Sequence, residues 1–167
     1  MKISQLATLC FTCLLGILPV AASAQPYAIS TDGSEVTDQK TGLIWRRCIE
    51  GMVWDSTTCV NATTTCTNVS AATPSTFTHQ EALQCAATQT GWRLPNIKEL
   101  SSIADKNRTT PAIDPTFFPA TPASLFWSAS PYVGSPFLAW RVDFLNGSVD
   151  VNIRSAPLPV RLVRAGQ

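Results

Sequence analysis

Asp143 and Asp150 stand three residues either side of the dipeptide Asn146-Gly147, and that spacing is the clearest place in the chain for side-chain chemistry. Asn-Gly favours a two-residue type I′ turn, because both central residues need positive φ and these two tolerate it best. In that register Asp143 faces Asp150 with Cβ atoms about 5 Å apart, a like-charge pair that needs a compensating partner. Three chemistries fit two facing carboxylates. They could serve as the acid and base of a hydrolase. They could hold calcium, whose ligands are oxygens and whose geometry is forgiving, although two carboxylates alone bind it weakly. Or Arg141, on the same face and diagonal to Asp150, neutralises them with help from Arg154, which is the cheapest answer. With Asn152 on that face and Ser130 and Tyr132 in the loop before it, the expected recognition surface is Ser130, Tyr132, Arg141, Asp143, Asp150, Asn152 and Arg154, with Asp143 and Asp150 as the metal ligands if an ion is held.

The hairpin that must position these groups runs from Ala139 to Arg154. Alternation puts Trp140, Val142, Phe144, Val149, Val151 and Ile153 on one face, expected to be core, and the charged residues on the other, expected to be wet. Upstream, Ser34–Thr37 and Leu43–Arg46 read as an opening hairpin whose turn ends at Gly42. Met52-Val53-Trp54 reads as a short strand, and Ser56 to Thr78, rich in Ser, Thr, Asn and Ala, as a solvated loop. Thr78-x-x-Glu81 and Asn96-x-x-Glu99 are capping boxes, opening one helix to about Thr88 and another to about Asp105, the second with Leu100, Ile103 and Ala104 buried. Ile113, Phe117 and Phe118 should anchor a Pro-rich loop over 107–124. Leu125–Ser128 reads as a strand, and Pro159–Arg164 as the closing one.

Other candidates have plainer readings. His79, the single histidine, sits at a helix start and is expected to be a solvated cap residue. Arg93 is expected to bond loop carbonyls, and Arg161 to do the same or to find Glu99 or Asp38. Trp45, Trp92, Trp127 and Trp140 fall on apolar faces and read mostly as core, which leaves Trp54 open for stacking on a sugar. Asp32-Gly33-Ser34-Glu35 reads as a plain turn.

Met1-Lys2, the apolar run Leu6–Val20 and Ala22-Ser23-Ala24 have the pattern of a secretory signal peptide cleaved after Ala24, so 25–167 is expected to form one domain without a stable membrane anchor. The chain has 12 basic and 11 acidic residues, and removal of Lys2 balances them. No bulk field then attracts nucleic acid or an anionic membrane. Cys10 and Cys13 leave with the leader. The remaining four cysteines allow three connectivities, and Cys48–Cys59 with Cys66–Cys85 is the favoured set, closing one short loop and tying a polar segment to a helix. Zinc is disfavoured by the lack of CxxC pairs and clustered histidines.

Five blocks in order carry a family resemblance: Thr41-Gly42-Leu43-Ile44-Trp45, Phe77-Thr78-x-Gln80-Glu81-Ala82, Trp92-Arg93-Leu94-Pro95 with Glu99-Leu100, Phe126-Trp127-Ser128-x-Ser130, and Val160-Arg161-Leu162-Val163-Arg164. The chain resembles the Lcl C-terminal domain family from about Val36 to Arg164, and its middle is similar to the formylglycine-generating-enzyme branch of C-type lectin-like folds. The resemblance implies a compact α+β domain, exported from bacteria, of a family whose founding member is linked to adhesion and sulfated polysaccharide binding. The late catalytic cysteines of the formylglycine-generating branch have no counterpart after Cys85.

The expectation is an exported, non-catalytic, ligand-binding module with a C-type lectin-like α+β fold. It needs no cofactor, with calcium the one ion considered. Its partner would be a cell-surface or extracellular glycan or protein, and not nucleic acid. The alternative is a structural or assembly component of a cell-surface system, and third comes a hydrolase using Asp143 and Asp150.

Overall fold

The computed structural model describes residues 26–62, 66 and 76–166. The expected signal peptide and much of the expected polar loop lie outside the described residues. Eleven elements follow in chain order: β1 (Tyr27–Ile29), β2 (Glu35–Asp38), β3 (Leu43–Arg46), β4 (Met52–Trp54), β5 (Cys59–Asn61), α1 (His79–Ala87), α2 (Ile97–Ser102), β6 (Leu125–Pro131), β7 (Leu138–Asp143), β8 (Ser148–Ile153) and β9 (Val163–Ala165). This is a small α+β domain with antiparallel sheets ordered β1-β2-β3-β9, β4-β5 and β6-β7-β8. No helix among the described residues is long and apolar enough to cross a membrane.

Local chemistry explains the elements that the sequence announces. Asp38 accepts from Lys40 N at 2.9 Å and Thr41 Oγ1 at 2.7 Å, and Gly42 takes φ +71° to close the β2–β3 turn. Both capping boxes form, so the first N–H groups of each helix find side-chain acceptors. Both expected disulfides are present, Cys48–Cys59 and Cys66–Cys85. Leu100, Ile103, Ile113 and Phe118 are buried as expected, with Phe117 packed against them.

Two apolar clusters form the core. One gathers Val36, Trp45, Ile49, Phe118, Phe126, Val142 and Phe144; the other gathers Phe77, Ala82, Leu94, Trp127, Leu158 and Leu162. The segment expected as a long closing strand runs between two sheets instead. Trp127 N donates to Pro159 O, while Glu50 N and Arg46 N donate to Val160 O and Leu162 O. A ladder with β3 begins only at Val163. Within this segment Arg161 is completely buried and finds neither Glu99 nor Asp38. Its guanidinium donates to the carbonyls of Arg46 and Arg47 and, at 2.6 Å, to Thr121 Oγ1, and it lies over the Phe118 ring. Burial without a carboxylate brings its pKa down to about 9.

His79 also departs from expectation. It is 2 % exposed, with Nε2 3.1 Å from Ser128 O and its ring edge-on to Trp127 at 5.3 Å. The carbonyl acceptor means that Nε2 carries the proton, and burial pulls the ring's pKa down. Of the tryptophans, Trp45 and Trp127 are fully buried, whereas Trp92 and Trp140 are partly exposed.

The β7–β8 hairpin leaves its first strand earlier than a two-residue Asn146-Gly147 loop would require. Asp143 pairs with Ser148 and Arg141 with Asp150, so Phe144–Gly147 form a four-residue connection. The reason is Phe144, which is wholly buried edge-to-face against Phe126 at 4.9 Å. Asp143 Oδ1 accepts from Leu145 N and Asn146 Oδ1 from Ser148 N, each within the loop itself. The register shifts by an even number of residues, so each strand residue keeps its expected face, but that apolar face is core only at Val142 and Phe144: Trp140 and Val151 are half-buried, and Val149 and Ile153, on the edge strand, are exposed.

Candidate functional site

The outward face of the four-stranded sheet is where unspent side-chain chemistry collects. Val36, Trp45 and Val163 point into the core, so alternation brings Glu35, Arg46 and Arg164 out on the other face. Glu35 and Arg46 are cross-strand partners, but each turns to a different ion pair. Arg46 Nη1 donates to Glu50 Oε1 at 3.0 Å, and Arg164 Nη2 to Glu35 Oε2 at 2.6 Å. Trp92, in the loop between α1 and α2, lies against both cations, with guanidinium carbons 4.9 and 5.3 Å from its ring centre.

Trp54, on β4, forms the opposing wall. The Arg47 guanidinium sits 3.8 Å from its ring centre and is itself fixed by the carbonyls of Gly33, Thr116 and Phe117. Desolvation lowers the Arg47 pKa. Gly33 packs so close that a Cβ there would come within 2.3 Å of Trp54 Nε1, and its φ of +76° also favours glycine. The Cys48–Cys59 bridge ties β5 to the end of β3 beneath this wall. The result is a cleft of about 220 Å³ lined by Ser34, Glu35, Arg46, Met52, Trp54 and Trp92, with Cys48 and Val53. Among the described residues, Glu35 Oε1 and Arg46 Nη2 have no hydrogen-bond partner. The cleft therefore offers an acceptor and a donor beside two indole rings.

Of the residues expected to form the recognition surface, Arg141, Asp143 and Asp150 come together on one face of the hairpin, while Ser130, Tyr132 and Arg154 make contacts of their own. Ser130 Oγ accepts from Ile97 N at 3.0 Å, next to the cap of α2. Tyr132 packs edge-on to Trp140 at 5.5 Å, and Trp140 lies on the hairpin face opposite to Arg141. Arg154 Nε donates to Leu138 O. Asp143 and Asp150 do not face each other. Arg141 lies between them, with Nη atoms 3.9 Å from Asp143 Oδ2 and 3.4 Å from Asp150 Oδ2, so the geometry on which a facing-carboxylate calcium site would rest is not formed. Asp150 and Asn152 have a second occupation. On β8, an edge strand, their Oδ1 atoms accept from Val151 N and Ile153 N, both at 2.8 Å.

Arg93 likewise does not serve mainly loop carbonyls. Its two Nη atoms each lie 2.7 Å from an oxygen of Glu99, the residue that closes the α2 capping box. The pair raises the Arg93 pKa and lowers that of Glu99, chiefly through these hydrogen bonds. The cleft was missed in the sequence because its walls come from β2, β3, β4 and the loop after α1. Trp54, left unassigned to the core, was the one signal of it.

These features define a small disulfide-linked α+β domain with an aromatic-walled cleft on its four-stranded sheet. The chain belongs to the Lcl C-terminal domain family, whose model matches residues 34–164 and so takes in every residue of that cleft. No curated protein and no solved structure matches the chain.

Proposed function

We propose that this is an exported binding module that captures a saccharide ring between Trp54 and Trp92. The observation that carries this reading is the pairing of two indoles with an unspent carboxylate oxygen on Glu35 and unspent N–H donors on Arg46. A sugar offers an apolar C–H face to an indole and hydroxyls that both donate and accept, which is what such a site complements. Charge narrows the class. Arg46 and Arg164 are matched by Glu50 and Glu35, so the cleft suits a neutral ring better than a sulfated polymer. Its volume of about 220 Å³ is below that of ordinary drug-sized pockets, which favours a single ring or chain end. Two disulfides and the leader pattern of 1–24 support export to an oxidising compartment. The absence of catalysis belongs to this proposal.

A second reading, a component of a cell-surface assembly, draws on exposed apolar residues on and beside the three-stranded sheet, with Phe137 77 %, Ile153 55 % and Val149 40 % exposed. A glycan array carrying neutral and sulfated oligosaccharides separates the readings, run with calcium and with a chelator. Capture of a neutral glycan, independent of calcium and reduced at least about tenfold by Trp54→Ala and by Trp92→Ala, is the expected result, the size of one lost aromatic contact. Capture that survives both substitutions but fails in Asp143→Asn or Asp150→Asn would move the site to the hairpin. No capture, with co-purification of envelope proteins, would favour assembly.

A further inference from the structure

Behind the cleft lies a carboxylate that the binding reading does not use. Glu50 is 2 % exposed. Its Oε1 accepts from Arg46 Nη1 at 3.0 Å and its Oε2 from Gln89 Nε2 at 2.8 Å. Oε2 also lies 3.8 and 3.9 Å from the sulfurs of Cys66 and Cys85. The Gln89 amide nitrogen is 3.5 and 3.8 Å from the same sulfurs. Glu50 thus holds the cleft residue Arg46 with one oxygen and lies against the disulfide sulfurs with the other.

We propose that ligand capture in the cleft is coupled to the Cys66–Cys85 bridge through Glu50, which acts as a positioning residue for Arg46. The coupling rests on the reading of the cleft as a binding site. A carboxylate out of water must be paired and hydrogen-bonded, and Arg46 supplies the charge while Gln89 supplies the second donor. An exposed i,i+4 ion pair holds its partners loosely. This one does not, because Glu50 is buried against the Cys66 and Cys85 sulfurs and from there holds Arg46, a lining residue of the cleft, at 3.0 Å.

Reduction loosens that packing. A dithiol delivers two electrons and two protons, the S–S bond breaks, Cys66 and Cys85 become thiols, and the dithiol closes to its own disulfide. The new S–H groups compete with Gln89 for Oε2, and the Cys66 segment is no longer tied to α1. Water then reaches Glu50, the ion pair becomes an exposed one, and Arg46 loses its fixed direction.

The test reads Arg46 directly, without a ligand. Phenylglyoxal labelling of Arg46 and Arg164 is followed by peptide mass spectrometry in the wild-type chain, Glu50→Gln and the paired Cys66→Ser/Cys85→Ser variant, with Gln89→Met as a milder change should either fold poorly. The variants are expected to speed Arg46 labelling at least about threefold, the scale for residues sharing one network, with Arg164 unchanged. They should also weaken capture of the glycan bound by the wild-type chain. Arg46 labelling that stays at the wild-type rate, or that rises in step with Arg164, overturns the proposal, since the second pattern is general loosening. Rapid Arg46 labelling with undiminished capture also overturns it. No capture by the wild-type chain would sink the cleft reading and the coupling with it, while the labelling would still report whether Glu50 holds Arg46.

Discussion

The β7–β8 hairpin and the Trp54–Trp92 cleft both set arginines and carboxylates on the outward face of an antiparallel sheet, and they use them in opposite ways. On the hairpin, Arg141 sits between two carboxylates of its own ladder, and Asp150 and Asn152 also bond backbone amides of their own strand. In the cleft, the cross-strand partners Glu35 and Arg46 ignore each other. Each is held by a group to one side, Arg164 or buried Glu50, and each keeps an atom without a hydrogen-bond partner among the described residues. Charge paired within its own ladder has less left over for a ligand, although Arg141 keeps Nε and Nη1 without a hydrogen-bond partner. Charge anchored from the side or from behind remains available to a ligand.

The largest effect that would test this contrast is on Arg161. Its guanidinium holds the carbonyls of Arg46 and Arg47, the backbone from which both the cleft cation and the Trp54 support project. Arg161→Ala leaves those acceptors unpaired and opens a cavity, and should cost about 4 kcal/mol in urea unfolding. Saccharide capture should fall with it. On the other side of the comparison, Arg141→Ala should cost only about 1 kcal/mol, because both carboxylates it leaves can turn to water or backbone donors. Capture should not change, and an Arg141→Ala protein that is stable but binds nothing would break the contrast.

A smaller effect sharpens it through pH. His79 joins α1 to the sheet that carries the hairpin, and burial lowers its pKa from 6.5. A group held neutral in the fold contributes stability that is fully present above that value and is lost as pH falls below it. The melting temperature should therefore decline between about pH 7 and about pH 5, and His79→Gln should flatten that decline. Wild-type and variant curves that run parallel would remove the ring from the account.

Much of the frame was legible because its causes are local. Thr78 with Glu81 and Asn96 with Glu99 announce helices through side chains three residues apart, and the Asp38–Gly42 turn needs only its own residues. Asn146-Gly147 announced a hairpin correctly but not its length, since the burial of Phe144 against Phe126 is a tertiary matter that a turn dipeptide does not encode. Strands β1 and β5 were too short to show a period. For Arg161 the expected bonding to loop carbonyls forms, with Arg46 and Arg47, but nothing in Val-Arg-Leu reveals which carbonyls wait beside it or that the strand begins only at Val163. The cleft was least legible of all. Ser34, Arg46, Trp54 and Trp92 meet only after four separate segments are packed, whereas the surface drawn from sequence rests on charged residues that are close along the chain.

The backbone of β8 bears on how the domain behaves in numbers. An open strand edge is an invitation to another chain, and here two of the outward amides, at Val151 and Ile153, are already taken by Asp150 and Asn152. Copies crowded side by side find these two donors of the β8 edge already occupied. On the proposed reading of the cleft, copies displayed together would engage a repetitive surface multivalently, each adding its own cleft to the avidity of the array.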